Sequence, residues 1–187
     1  MSTQVMPYAT LADLMKVEGK AELINGRIVT FMPSGFLPSR VARKIVRALE
    51  DYATSGGHGE PVADPTGYAF DPPLPSGRQS LCPDASFYTG ALPTNPMGFI
   101  EGFPVFAVEV RSESDYGPKA DREYADKRAD YFSAGTRVVW DVDPVAQTVT
   151  SYSATAPTTS TTFRRGSTAD AEPAVPGWRL SVDALFT

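Results

Sequence analysis

The stretch Phe106-Ala107-Val108-Glu109-Val110 limits the folds open to this 187-residue chain more than any other. Its residues are mostly strand formers, and a strand this apolar belongs inside a sheet rather than at a solvated edge. Phe106, Val108 and Val110 alternate on one face, which puts Glu109 on the other with Ala107 and Arg111. A carboxylate there is costly to desolvate, so the strand needs something to hold the acid.

The rest of the chain supplies the elements around that strand. Thr10 and Asp13 have capping-box spacing at the start of a short helix. Asn25-Gly26 between two apolar stretches is a strong hairpin signal, with Glu22 on the first arm. Val41, Ile45, Ala48, Leu49 and Tyr52 fall at helical spacing, and Arg40, Arg43, Lys44 and Arg47 form the opposite stripe. Pro- and Gly-rich sequence follows, interrupted by a short strand near Tyr68. A second strand, Cys82 to Tyr88, turns Asp84 and Ser86 one way and Ala85 and Phe87 the other.

After the opening strand and a turn-rich loop, a helix runs from Lys119 to Gly135, where the glycine stops it. Residues 137–144 and 147–152 predict two further strands. Residues 153–162, nearly all Ser, Thr, Ala and Pro, predict an exposed loop. Strands with one helix before them and one between them imply an α/β or α+β core in a single domain spanning 1–187.

Composition narrows the chemistry. A single cysteine, Cys82, rules out an internal disulfide framework and fits a reducing compartment. A single histidine, His58, rules out a site built on several histidine ligands and reads as a loop residue. The first ten residues lack a basic segment followed by an apolar one, and no run approaches the roughly 20 apolar residues of a membrane helix. The expectation is a cytoplasmic protein with no membrane partner. A net charge of −5 argues against a broad electrostatic grip on nucleic acid, although a metal and a local basic patch can still attract phosphates.

Asp84 and Glu109, on neighbouring strands of one sheet, would repel each other unless a cation sat between them. An all-oxygen pair favours magnesium or manganese over zinc. Each acid alone also fits a simpler role, Glu109 paired with a base such as Arg111 and Asp84 capping a turn after Pro83. On the helix after Glu109, Ala120, Tyr124, Tyr131 and Ala134 project inward at 100° per residue. Lys127 lies on the flank of that stripe, and Arg122, Asp126 and Asp130 lie outside. A lysine directed at a carboxylate pair suits phosphodiester hydrolysis; a lysine whose stem crosses the helix edge is the plainer alternative. The stripe Arg40, Arg43, Lys44 and Arg47 either tracks a nucleic-acid backbone or is a solvated helix face. Trp140 and Tyr131 read as core; Asp141 and Asp143 lie at a strand end.

Taken together, "CPDASFY", "PVFAVEVRSESD" and "KADREYADKRADYFSAGTRVVWDVDP" resemble the Uma2 (DUF820) family, assigned to the PD-(D/E)XK nuclease superfamily. "AELINGRIV" and "PGWRLSVDALF" resemble its opening hairpin and its C-terminal close. The resemblance implies a restriction-endonuclease-like α/β fold, a central mixed sheet flanked by helices. It implies a magnesium- or manganese-dependent endonuclease acting on DNA, with Asp84 and Glu109 as metal ligands, Lys127 as catalytic lysine and Glu22 as an additional acid. A homodimer would suit cleavage of two strands. Two features depart from the family pattern. The helix after the hairpin lacks the usual histidine. Arg111 stands in the slot of the superfamily's strand lysine, where it either pairs with Glu109 or supplies the cation to a phosphate. A nuclease fold that binds nucleic acid or a protein without cutting, and a small-molecule phosphodiesterase, are the alternatives.

Overall fold

The computed structural model describes residues 8–187; for residues 1–7, the reading of the N-terminus as leader-free lies outside the described residues. The chain begins with α1 (Leu11–Leu14), the hairpin β1 (Ala21–Ile24) and β2 (Arg27–Thr30), and α2 (Phe36–Thr54). Strands β3 (Glu60–Ala63), β4 (Tyr68–Ala69), β5 (Ser80–Leu81), β6 (Ala85–Tyr88), β7 (Ile100–Glu101) and β8 (Phe106–Val110) follow. The second half holds α3 (Pro118–Ala134), β9 (Val138–Asp143), β10 (Thr148–Ser153), β11 (Ala156–Phe163), β12 (Thr168–Asp170), β13 (Arg179–Ser181) and α4 (Val182–Phe186).

Six strands make the central sheet in the order β11-β10-β9-β8-β6-β3. β8 and β9 run parallel, joined by α3, and the other neighbours are antiparallel. The sheet is therefore mixed, and it is covered on both faces. On one face α2 sets Val41, Ile45 and Leu49 against Phe87, Phe106, Val108 and Trp140. Trp140 meets Phe106 edge-on at 5.0 Å and lies 5.2 Å from Trp178. On the other face α3 places Tyr131 with Ala107, Val139, Tyr68 and Tyr88. Each large apolar side chain fully buried in this way contributes about 1.5–3 kcal/mol.

Local chemistry explains the element ends. Thr10 and Asp13 form the reciprocal capping box, though the helix they start is a single turn. Asn25 and Gly26 both take positive φ, 50° and 68°, as a tight hairpin turn requires. α3 starts with Pro118 and ends at Gly135, whose φ of 114° is the left-handed cap.

Two expectations are corrected. Residues 156–163 form an edge strand, not a loop, and pair with β10. Threonine favours extended backbone, but a strand exposed on both faces carries no apolar alternation to reveal it. Asp130 is buried rather than on an outer helix face, because α3 is enclosed on a second side. There the chain folds back so that Asn25 N–H donates to the Gly77 carbonyl (2.8 Å) and Leu23 N–H to Ser80 Oγ (2.8 Å). The hairpin and the Pro-rich loop thus become one wall facing the helix.

Candidate active site

Sheet register brings the two strand acids together. β6 pairs with β8 through Ala85 opposite Val108, and one further step in the same register sets Asp84 opposite Glu109. The Asp84 N–H donates to the Val108 carbonyl (3.0 Å), and the Val110 N–H donates to Asp84 Oδ2 (2.8 Å). Lys20, just before β1, places its ammonium 2.7 Å from Asp84 Oδ1 and 2.9 Å from Asp64. Glu109 Oε1 accepts a hydrogen bond from the Tyr131 hydroxyl (2.6 Å) and lies 2.8 Å from the Lys127 ammonium. Lys127 is also 3.2 Å from Glu22 Oε1, which takes the Cys82 N–H at 3.0 Å. The second oxygen of Glu22 pairs with Arg78, whose Nε donates to Asp130 (2.6 Å).

Five carboxylates (Glu22, Asp64, Asp84, Glu109 and Asp130) thus meet three cations (Lys20, Arg78 and Lys127), a formal balance of −2. Burial pushes the Glu109 carboxyl above its ordinary range; Lys127 pulls it back and Asp84 pushes it up again. For Lys127, burial works against the charge, but Glu109 and Glu22 outweigh it and hold the ammonium protonated. Lys20 is raised in the same way, burial being overcome by Asp84 and Glu109. Burial, then Glu109 and Glu22, raise Tyr131, so its hydroxyl is a neutral donor.

A protein-family model described as "putative restriction endonuclease" matches residues 8–183. The chain belongs to the Uma2 family. A crystal structure described as "a putative nuclease belonging to DUF820", from Anabaena variabilis ATCC 29413, is similar in fold with a TM-score of 0.70. It is 21% identical in sequence, over 95% of this chain and 97% of that one. No curated protein matches the chain in sequence.

Within this Uma2 fold, Glu22, Asp84, Glu109 and Lys127 line one cleft. The sequence placed Glu22, Glu109 and Lys127 on the right elements and Asp84 on a strand that begins one residue after it, but did not reveal Lys20, Asp64, Arg78 and Asp130, which complete their ion pairs. Lys20 has a usable signal, since it precedes Glu22 by two residues and so shares its face. Arg78 and Asp130 have none, because their meeting depends on the path of the Pro-rich loop.

Arg111 does not pair with Glu109. Its guanidinium forks onto both oxygens of Asp141 (3.0 and 2.9 Å) and reaches Asp121 at 2.8 Å. Its stacking over Tyr124, 4.7 Å to the ring centre, directs it along β9 and the start of α3 rather than toward Glu109. The parallel register sets Asp141 beside Glu109, so a closer acid claims the arginine.

The basic stripe of α2 is divided. Lys44 donates to the carbonyls of Ala184 (2.7 Å) and Leu185 (3.3 Å), and Arg40 donates to that of Thr187, which satisfies the carboxyl end of α4. Arg43 and Arg47 are exposed, and none of the four lines the cleft. Trp140 and Tyr131 are core, as expected, and Tyr131 also serves the site. Asp143 accepts the Val145 and Ala146 N–H groups as a turn residue, and His58 is exposed.

Among the described residues, no group of three or more His, Cys, Asp or Glu side chains is arranged to hold a metal ion. Asp84 and Glu109 nevertheless suit a hard cation. They are an oxygen pair without competing soft ligands, in a cluster carrying two unmatched negative charges, and Glu109 Oε2 accepts no hydrogen bond from a described residue. Magnesium commonly takes one or two carboxylates and fills its other positions with water and substrate phosphate.

Proposed function

We propose that this chain is a metal-dependent nuclease that hydrolyses phosphodiester bonds, with DNA as its substrate and magnesium or manganese as its cofactor. The observation that carries this reading is Asp84 and Glu109 facing each other across β6 and β8, with Lys127 2.8 Å from Glu109. Asp84 and Glu109 would hold the ion. When bound, it would supply charge neutralisation at the phosphate and a more acidic water. Lys127, kept protonated by its two acids, orients the attacking water and offsets charge building on the phosphoryl oxygens. Glu22 is a positioning residue: it is 1% exposed, anchored by Arg78 and the Cys82 N–H, and holds Lys127 at 3.2 Å.

One observation favours a second reading. The Lys20 ammonium already neutralises Asp84 at 2.7 Å, as in a nuclease fold that binds nucleic acid without cutting. Incubating plasmid and oligonucleotides with magnesium or manganese, with and without chelator, separates the two. The nuclease reading requires chelator-sensitive cleavage that Asp84→Asn and Lys127→Ala both abolish, with metal binding retained in Lys127→Ala. Nucleic-acid binding without cleavage across a broad panel of substrates and metals would establish the binder.

A further inference from the structure

The lining of the cleft is of two unlike kinds, apolar and acidic. Val29, Phe31, Met32 and Pro38, from β2 and the segment after it, line the cleft, and so do Glu113, Asp115 and Glu123, from the loop after β8 and from α3. The apolar lining is not core, because Phe31 is 40% and Met32 87% exposed. Apolar side chains left in water beside a buried ionic cluster mark a contact surface. The Phe31 N–H donates to the Lys20 carbonyl (2.9 Å), which ties its backbone to the segment that carries Lys20 and Glu22. Its ring centre is 5.8 Å from the Lys127 ammonium.

We propose that the cleft admits an unpaired nucleotide, so that the substrate is single-stranded or locally unwound, and that Phe31 is the platform on which its base stacks. The nature of the ligand rests on the nuclease reading above; its unpaired state rests on three observations of the cleft. Its cations, Lys20, Arg78 and Lys127, are all committed to internal carboxylates, so affinity cannot come mainly from phosphate neutralisation. Glu113, Asp115 and Glu123 line the same cleft and add repulsion with every further phosphate brought to it, which disfavours a second strand. The cleft has a volume of about 1090 Å³, the scale of a small-molecule pocket and room for a nucleotide or two. Stacking on an aromatic ring is how proteins hold unpaired bases irrespective of sequence. A base on Phe31 brings its own phosphate toward Lys127 and the acid pair.

The test measures binding of fluorescein-labelled oligothymidylate and of a duplex of equal length to the full chain, without added metal. Wild type, Phe31→Ala and Phe31→Tyr are compared, with thermal melting to confirm that each is folded. The expected result is single-strand affinity at least about tenfold above duplex affinity. Phe31→Ala should lose about tenfold on the single strand with duplex binding unchanged, and Phe31→Tyr should restore it. Equal or tighter duplex binding, binding of neither probe, or a Phe31→Ala protein that keeps its single-strand affinity overturns the proposal. Chelator-sensitive, Asp84-dependent cleavage alongside an indifferent Phe31→Ala would remove the platform and leave the nuclease. Phe31-dependent single-strand binding without any cleavage would do the reverse.

Discussion

The two faces of β8 are built from one five-residue segment and held by different physics. Phe106, Val108 and Val110 enter an apolar layer with α2, Trp140 and Trp178, where each contact is short-range and replaceable by another of similar shape. Ala107 and Glu109 enter the layer under α3, where Glu109 begins a chain of ion pairs through Lys127, Glu22 and Arg78 to Asp130, beside a second chain of Asp64, Lys20 and Asp84. Burying a charged network generally yields less stability than packed hydrocarbon of equal volume, and breaking one pair within it leaves a charge stranded. The apolar face therefore carries the stability of the sheet. Under the proposed function, the charged face serves chemistry more than stability.

The largest expected effect tests the apolar face. Trp140→Ala removes a fully buried ring that touches both Phe106 and Trp178, and should lower unfolding free energy by about 4–5 kcal/mol in denaturant titration. A loss under about 2 kcal/mol would show that this layer is not where stability resides. On the charged face, Arg78→Met strands Asp130 and leaves Glu22 with Lys127 and the Cys82 N–H, and should cost about 3 kcal/mol. Adding Glu22→Gln and Asp130→Asn to it should recover much of that loss. If the triple variant is no more stable than Arg78→Met, the penalty comes from packing and not from stranded charge.

How legible each face was in the sequence follows from the same contrast. Alternation within residues 106–110 and the helical spacing of Val41, Ile45 and Leu49 are local patterns, and they led to the correct sheet and the correct helix against it. The acids on the other face were legible for a related reason, since a carboxylate in an apolar strand is itself an anomaly. Their partners were not. Arg78 lies in a loop with no periodicity, and Asp130 has the helical phase of a solvent-facing residue until the hairpin wall covers it. Arg111 was misplaced because spacing along its own strand favoured Glu109, whereas cross-strand register gave it Asp141. Resemblance to a known family supplied the roles proposed for Glu22 and Lys127, which local pattern alone left open.

Arg111 sharpens the comparison at a smaller scale. It lies beyond the end of β8, half-buried, and its pair with Asp141 has a reserve partner in Arg128 at 4.0 Å. Arg111→Leu should therefore cost only about 1–2 kcal/mol and leave cleavage within a few-fold of wild type. Loss of cleavage in a folded Arg111→Leu protein would mean that the guanidinium acts on substrate despite its three acidic and aromatic neighbours.

The smallest stability change should come from the residue given the largest functional weight. In Asp84→Asn, the amide oxygen can still accept the Val110 N–H, and Lys20 keeps Asp64 at 2.9 Å. The change also removes a negative charge facing Glu109, relieving part of the repulsion that raises that carboxyl. These effects offset the lost Lys20 contact, so the metal-free protein should unfold within about 1 kcal/mol of wild type. The same substitution should lower magnesium or manganese affinity in isothermal titration by tenfold or more, because it removes one of the two proposed carboxylate ligands. A protein that loses metal affinity but not stability is what a face maintained for chemistry predicts. A variant destabilised by 3 kcal/mol with unchanged metal affinity would instead make Asp84 a structural partner of Lys20, and the contrast between the two faces of β8 would disappear.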